Sequence, residues 1–324
     1  MSTAIEHVFA QVGELRMHAA VAGPADGPAV LLCHGFPESW YSWRHQLLAL
    51  GDAGYRVIAP DQRGYGQTDA PTAVEAYSQL HLVGDLVGLL EALGIGPAAV
   101  VGHDWGGPVA WHAALLRPDV FTAVAGLSVP FSPRVPGATL PTQGLRAALG
   151  DAFFYVLYFQ DVGVAEAELD GDIRGMLRRI LYSISGDIPP EDFRFFDPKA
   201  RCFNDLLREP PALPEWLTEA DLDVFTSEFE RKGTFRHGIN WYRNIDRTWE
   251  LLAPFVNVKV QQPALFIGAE RDAIFGLSRE SVAATKEWVP NLREPIWVPD
   301  CGHWIQQEEP QIVNEALLDF LGSL

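Results

Sequence analysis

The strongest constraint in this sequence is a rhythm. Six short apolar runs, AVLLCHG (29–35), YRVIAPD (55–61), AAVVGHD (98–104), VAGLSVP (124–130), PALFIGAERD (263–272) and EPIWVPD (294–300), each end in Gly, Pro or Asp, with longer amphipathic stretches between them. Runs that stay apolar without alternation belong to strands covered on both faces, which requires crossover helices on either side. The stretches 39–50, 78–93, 106–117, 280–289 and 310–322 predict those helices. Together they specify an α/β chain built on a mostly parallel sheet. Residues 5–22, broken at Gly13, read as an antiparallel hairpin at the sheet edge.

After residue 130 the rhythm stops and resumes only at PALFIGAERD. The interruption opens on a Pro-rich passage, FSPRVPGATLP, and continues through aromatic helical segments such as DAFFYVLYFQ and INWYRNIDRTWELL. Structureless connections of that length are uncommon in compact domains, so an inserted helical unit is expected. The division predicted is a core of 1–130 and 256–324 with an insert over 131–255.

Composition narrows the partners. With 324 residues, 48% of them hydrophobic, the chain can bury a substantial core. A formal net charge of −18 argues against a nucleic-acid partner, which would need clustered Lys and Arg. No apolar run approaches the ~20 residues of a membrane span, and no signal-peptide pattern opens the sequence, so a cytoplasmic location without membrane attachment is expected. Cys33, Cys202 and Cys301 are too few and scattered for a disulfide framework or thiolate metal site. Cys301, two residues before His303, reads as inert.

The chemistry concentrates at strand ends, where open α/β sheets bind ligands. VVGHDWGGP (100–108) has the form of the strand-to-helix elbow G-x-S-x-G, with Asp104 where the serine would stand and Gly102 and Gly106 kept. Asp272 and His303 follow at the ends of two later runs. Acid, acid, histidine reproduces the chain order of α/β-hydrolase triads with the nucleophile replaced. In that layout the oxyanion hole uses the N–H after the nucleophile and one from an earlier loop, here Trp105 and Phe36 of HGFPESWYSW, with His34, Gly35 and Pro37 supporting the loop and Pro37 a candidate for a cis bond. Asp246, four residues after Tyr242, is a second-choice relay acid.

At this point HGFPESWYSWRHQ, DQRGYGQTDAP, GHDWGG, FFYVLYFQ, NWYRN and DCGHWIQQEEP together resemble the cytoplasmic-type (soluble) epoxide hydrolases of the α/β-hydrolase superfamily, from about residue 30 to the end. The resemblance implies an eight-stranded, mostly parallel sheet flanked by helices, with an inserted helical cap. It implies Asp104 as nucleophile, His303 as base, Asp272 as its orienting acid, and Tyr155 and Tyr242 as the acids that hold the epoxide oxygen. Tyr158 and Tyr182 lie nearby, and motif alignment alone selects between them. GHDWGG is shared with haloalkane dehalogenases, so the two tyrosine segments discriminate.

An aspartate nucleophile fits that chemistry. A serine attacking an epoxide carbon would leave an ether that histidine and water could not readily cleave, whereas a carboxylate leaves a hydrolysable ester. The expected substrates are a small apolar epoxide and water, with no cofactor and no metal, in a monomer or homodimer. The rival readings are a haloalkane or haloacid dehalogenase using the same aspartate, and a degenerate hydrolase fold that binds a small ligand without turnover. A serine esterase is weaker, since no G-x-S-x-G occurs.

Overall fold

The computed structural model describes residues 3–137, 139–272, 274 and 279–324. Eight strands form one sheet in the order β1-β2-β4-β3-β5-β6-β7-β8. They are β1 (Glu6–Val12), β2 (Leu15–Ala22), β3 (Ala29–Cys33), β4 (Arg56–Pro60), β5 (Ala98–His103), β6 (Phe121–Leu127), β7 (Ala264–Ala269) and β8 (Ile296–Val298). Strand β2 pairs antiparallel with both β1 and β4, while every pairing from β4 to β8 is parallel. The expected edge hairpin is therefore present, turning at Gly13 with φ 56°.

The six expected runs all contain strands, but the strands stop short of the runs' ends. β3, β5 and β7 finish at Cys33, His103 and Ala269, and the polar residues that follow turn out of the sheet into loops. β6 instead starts earlier than expected, at Phe121.

Flanking helices are α1 (Arg44–Asp52), α2 (Gln79–Ala92) and α3 (Gly106–Leu116). Between β6 and β7 come α4 (Pro141–Leu149), α5 (Tyr155–Tyr158), α6 (Val164–Leu169), α7 (Ile173–Ser183), α8 (Glu219–Glu230), α9 (Arg236–Arg243) and α10 (Ile245–Leu251). After β7 come α11 (Arg279–Ala284), α12 (Ile305–Glu308) and α13 (Pro310–Leu321). The helix expected over 280–289 breaks after Ala284 into a 3₁₀ turn, and the short α12 was not anticipated.

Burial explains the unbroken apolar runs. Along β5, Val100 joins a core shared with α2 and α3, while its neighbour Val101 joins the opposite core, shared with α1 and α13. The first core continues into the helical insert through Phe159, Leu181, Phe225 and Trp241. Helix α3, packed against β5, β6 and α2, is apolar on nearly every side, as its sequence GGPVAWHAALL dictates. Trp111 lies against the backbone of β6, where a Cβ on Gly126 would come within 2.6 Å of its indole nitrogen, and donates to the Val129 carbonyl at 2.9 Å.

The turn from β5 to α3 has no spare space. A Cβ on Gly102 would stand 1.9 Å from the Gly106 carbonyl oxygen, and one on Gly106 would stand 2.0 Å from that of Cys33. Backbone, not a side chain that could rotate away, is the obstacle at both. Gly106→Ala should therefore destabilise by about 4 kcal/mol or more, or prevent folding. Gly84→Ala in α2, with nothing within 4 Å of the added methyl, should be neutral or stabilise by up to ~1 kcal/mol. Urea midpoints of the two variants test the contrast, and equal midpoints would mean that the turn can relax.

Candidate active site

Asp104 stands at the tip of that turn with φ 49°. The left-handed region strains a residue with a Cβ and persists only where the surroundings impose it. They do so here by proximity: the loop after β3 lies so close that a Cβ on Gly35 would be 2.3 Å from Asp104 Oδ1. From that loop the Phe36 N–H donates to Oδ1 at 2.7 Å, and the Phe36–Pro37 peptide is cis. Trp105, directly after Asp104, is the N-cap of α3.

His34 holds the loop in place. Its Nδ1–H donates to the Gly35 carbonyl at 2.9 Å and its Nε2 accepts the Gln62 N–H at 3.0 Å, so the ring is bound as the neutral tautomer. Burial lowers its pKa and outweighs the nearby carboxylates.

Asp272 follows β7 and His303 lies in the loop between β8 and α12. His303 Nδ1 meets Asp272 Oδ2 at 2.9 Å and its Nε2 faces Asp104 Oδ2 at 3.4 Å. Burial alone would lower the His303 pKa, but Asp272 and then Asp104 reverse that and raise it to about 10. Burial pushes Asp272 up, yet His303 and the Ile274 N–H, 3.0 Å away, bring it below the usual carboxylate range. Asp246, the second-choice relay acid, instead accepts the Thr142 N–H at 2.9 Å, at the start of α4.

Tyr155 begins α5 and Tyr242 lies near the end of α9, their rings 5.9 Å apart. Gln160 joins the two helices by donating to the carbonyls of Val156 and Tyr242 at 2.8 and 3.1 Å. Next to Tyr242, buried Arg243 makes a two-pronged pair with Glu166 at 2.7 and 3.0 Å and also donates to the Phe159 carbonyl at 2.9 Å. Burial, then Asp104, raises the Tyr155 phenol. Burial, Tyr155 and Asp104 raise Tyr242, against a small opposing pull from the Trp105 indole. Tyr158 points elsewhere and donates to Glu168 at 2.9 Å.

Two cavities meet at these groups. One of about 20 Å³ is lined by Asp104, His303, Phe36 and apolar side chains of the insert. The other, about 510 Å³, is walled by Trp105, Val129, Leu145, Phe154, Val156 and Ile245 among others. Asp104, Tyr155, Tyr242 and Ile274 line both. Cys301 is buried, with its thiol pushed up by burial and then by Glu308, which suits an inert role.

Reasoning from the sequence passed over a second layer. Buried Glu38 accepts from the Gly35 N–H (2.8 Å), His103 Nδ1 (2.9 Å), Gln306 (2.9 Å) and Gln307 (3.2 Å), while His103 Nε2 donates to the His303 carbonyl at 2.7 Å. A buried network thus joins the loop after β3, the residue before Asp104 and the backbone of His303. Burial opposes the charge on Glu38, but His103 and the Gly35 N–H hold its pKa low. The signal was available in QQEEP, an amide and carboxylate cluster just after His303, where an apolar helix start would otherwise be expected.

Residues 28–174 match the α/β-hydrolase fold family. Epoxide hydrolase A of Mycobacterium tuberculosis is 46% identical over 96% of this chain and 95% of its own length. Epoxide hydrolase 2 of Siraitia grosvenorii is 43% identical over 98% of both chains. The crystal structure of epoxide hydrolase A from Mycobacterium thermoresistibile superposes with a TM-score of 0.91 at 47% identity, covering 98% of each chain. With that fold, that identity and that coverage, the chain belongs to the epoxide hydrolases of the α/β-hydrolase fold.

Proposed function

We propose that this protein converts small apolar epoxides to vicinal diols through an ester on Asp104. The observation that carries the reading is the meeting of Asp104, held by the Phe36 N–H and faced by the His303–Asp272 pair, with two buried phenols in one apolar space. In this reading residues 1–130 and 256–324 form the catalytic core and 131–255 a cap that supplies the phenols.

In the first step an Asp104 oxygen attacks a ring carbon and the carbon–oxygen bond opens. Tyr155 or Tyr242 donates a proton to the departing oxygen while the other hydrogen-bonds to it. Both phenols are raised above their ordinary pKa of 10.0, so they remain proton donors throughout the neutral range. The product is a hydroxyalkyl ester and a tyrosinate, which recovers its proton from protonated His303.

Loss of the charge on Asp104 then changes the base. Asp104 contributes to holding His303 protonated, so ester formation lowers the imidazole's proton affinity at the moment a base is needed. Neutral His303, oriented by Asp272, takes a proton from water, and the hydroxide attacks the ester carbonyl. The Phe36 N–H, together with that of Trp105, stabilises the oxyanion, a contribution of roughly 3–4 kcal/mol per donor. Collapse expels the product alkoxide, which takes the proton carried in on the attacking hydroxide, so the diol leaves and ionised Asp104 is restored beside protonated His303.

His303→Gln should accumulate an adduct on Asp104 equal in mass to the epoxide, seen by intact-mass and peptide analysis. Wild-type enzyme in isotopically heavy water should give a first-turnover diol without the label. A labelled first-turnover diol and no adduct would make Asp104 a base acting on water instead.

In that same His303→Gln background, Tyr155→Phe and Tyr242→Phe should each slow ester formation by roughly 10- to 100-fold, and the double change by about 10³-fold or more. Because the raised phenols keep their protons to higher pH, the alkaline fall in ester formation should lie above pH 10, the ordinary phenol value. Full activity of the double variant, or halide release from haloalkanes, would favour the dehalogenase reading.

The imidazole itself offers an independent check. In Asp104→Asn the neighbouring negative charge is gone, so the His303 pKa should fall from about 10 toward the ordinary imidazole range. Titration by NMR measures it, and an unchanged value would mean that Asp272 alone sets the charge of the base.

A further inference from the structure

Glu308, at the end of α12, has no part in the chemistry above. Its Oε2 accepts the N–H groups of Gly302 and Gly186, both at 2.8 Å, and its Oε1 accepts that of Trp304 at 2.9 Å. Two of these donors flank His303 on either side; the third belongs to the helical insert. His303 closes the arrangement by donating its own N–H to the Ile184 carbonyl at 3.0 Å. The Trp304 indole adds a further tie to the insert, at 2.7 Å from the Leu181 carbonyl.

The two backbones run in direct contact. A Cβ on Gly302 would lie 2.1 Å from the Gly186 nitrogen, and one on Gly186 would lie 2.7 Å from the Asp300 carbonyl oxygen. The carboxylate therefore bridges a junction at which neither Gly186 nor Gly302 has room for a side chain. Among the described residues no ion pair to Glu308 occurs; three peptide N–H groups and the Cys301 thiol surround its carboxylate. Burial raises its pKa to about 7, the three N–H groups opposing that rise and Asp187 adding to it.

We infer that Glu308 is a positioning residue for the hydrolytic half of the reaction: its carboxylate fixes the backbone on both sides of His303 and locks it to the 184–186 segment of the insert. Ile184 lines the small cavity with Asp104 and His303, so one carboxylate sets both the base and the wall it works against. The inference rests on the ester mechanism proposed above. It differs from a purely structural role in what it predicts for the two half-reactions. Ester formation needs Asp104 and the phenols, none of which Glu308 touches; ester hydrolysis needs His303 placed to within a fraction of an ångström of its line to water, and a misplacement of about 1 Å can cost on the order of 10²-fold.

The experiment is single-turnover kinetics with mass detection of the ester in Glu308→Ala and Glu308→Gln. Glutamine keeps the volume and one acceptor but turns an N–H donor toward the peptide N–H groups, so its effect should be intermediate and its fold retained. Expected is ester formation within about threefold of wild type, hydrolysis slowed by roughly 10²-fold in Ala and 10-fold in Gln, and ester visible at steady state. A folded Glu308→Gln that hydrolyses the ester at the wild-type rate would overturn the inference, as would equal slowing of both steps. If Glu308→Ala does not fold, the Gln variant decides alone. Failure of the mechanism itself is separable, because it would show as absence of the ester in His303→Gln, where Glu308 is intact.

Discussion

The structure depends on one tight approach: the turn at Asp104 pressed against the loop that follows β3. At Gly35, Gly102 and Gly106 an added carbon would collide with the carboxylate or with backbone. That closeness is what holds Asp104 in a backbone conformation it would not choose, and what brings the Phe36 N–H to its carboxylate at 2.7 Å. Strain and function share a cause. A looser turn would relax the aspartate and move it away from the donor together.

Around this point the protein stacks two polar layers of different kinds. The inner one, Asp104, His303 and Asp272, carries charges whose balance would shift on formation of the proposed ester. The outer one is centred on Glu38, whose carboxylate is satisfied by His103, two glutamines and a peptide N–H. A buried carboxylate is costly unless it is surrounded by donors, and the same donors fix the backbone that bears the reacting groups.

Much of this was legible in the sequence, for identifiable reasons. The parallel sheet showed because strands covered on both faces must be apolar throughout, and the edge hairpin because Gly13 interrupts a lone pair of segments. Asp104, Asp272 and His303 stood out because each follows an apolar run. Strand ends were overrun by a few residues, since hydropathy does not register where the backbone turns away from its neighbour. Tyr155 and Tyr242 could be chosen over Tyr158 only through resemblance, because a phenol facing a cavity and one bonded to Glu168 have the same local sequence character. Glu38 and Glu308 were missed for a related reason: their partners are peptide groups and amides brought together only by folding.

The unequal cavities give the site a handedness of its own. A space of about 20 Å³ accommodates roughly a single water molecule, while the space across Asp104 and the phenols is some 510 Å³. An oxirane bearing one bulky arm can turn that arm only toward the roomier side, so its two carbons cease to be equivalent before any bond is made. Phe159, Ile180, Phe195 and Phe203 close the narrow side, so volume as well as electronics bears on how such a ring can lie against Asp104.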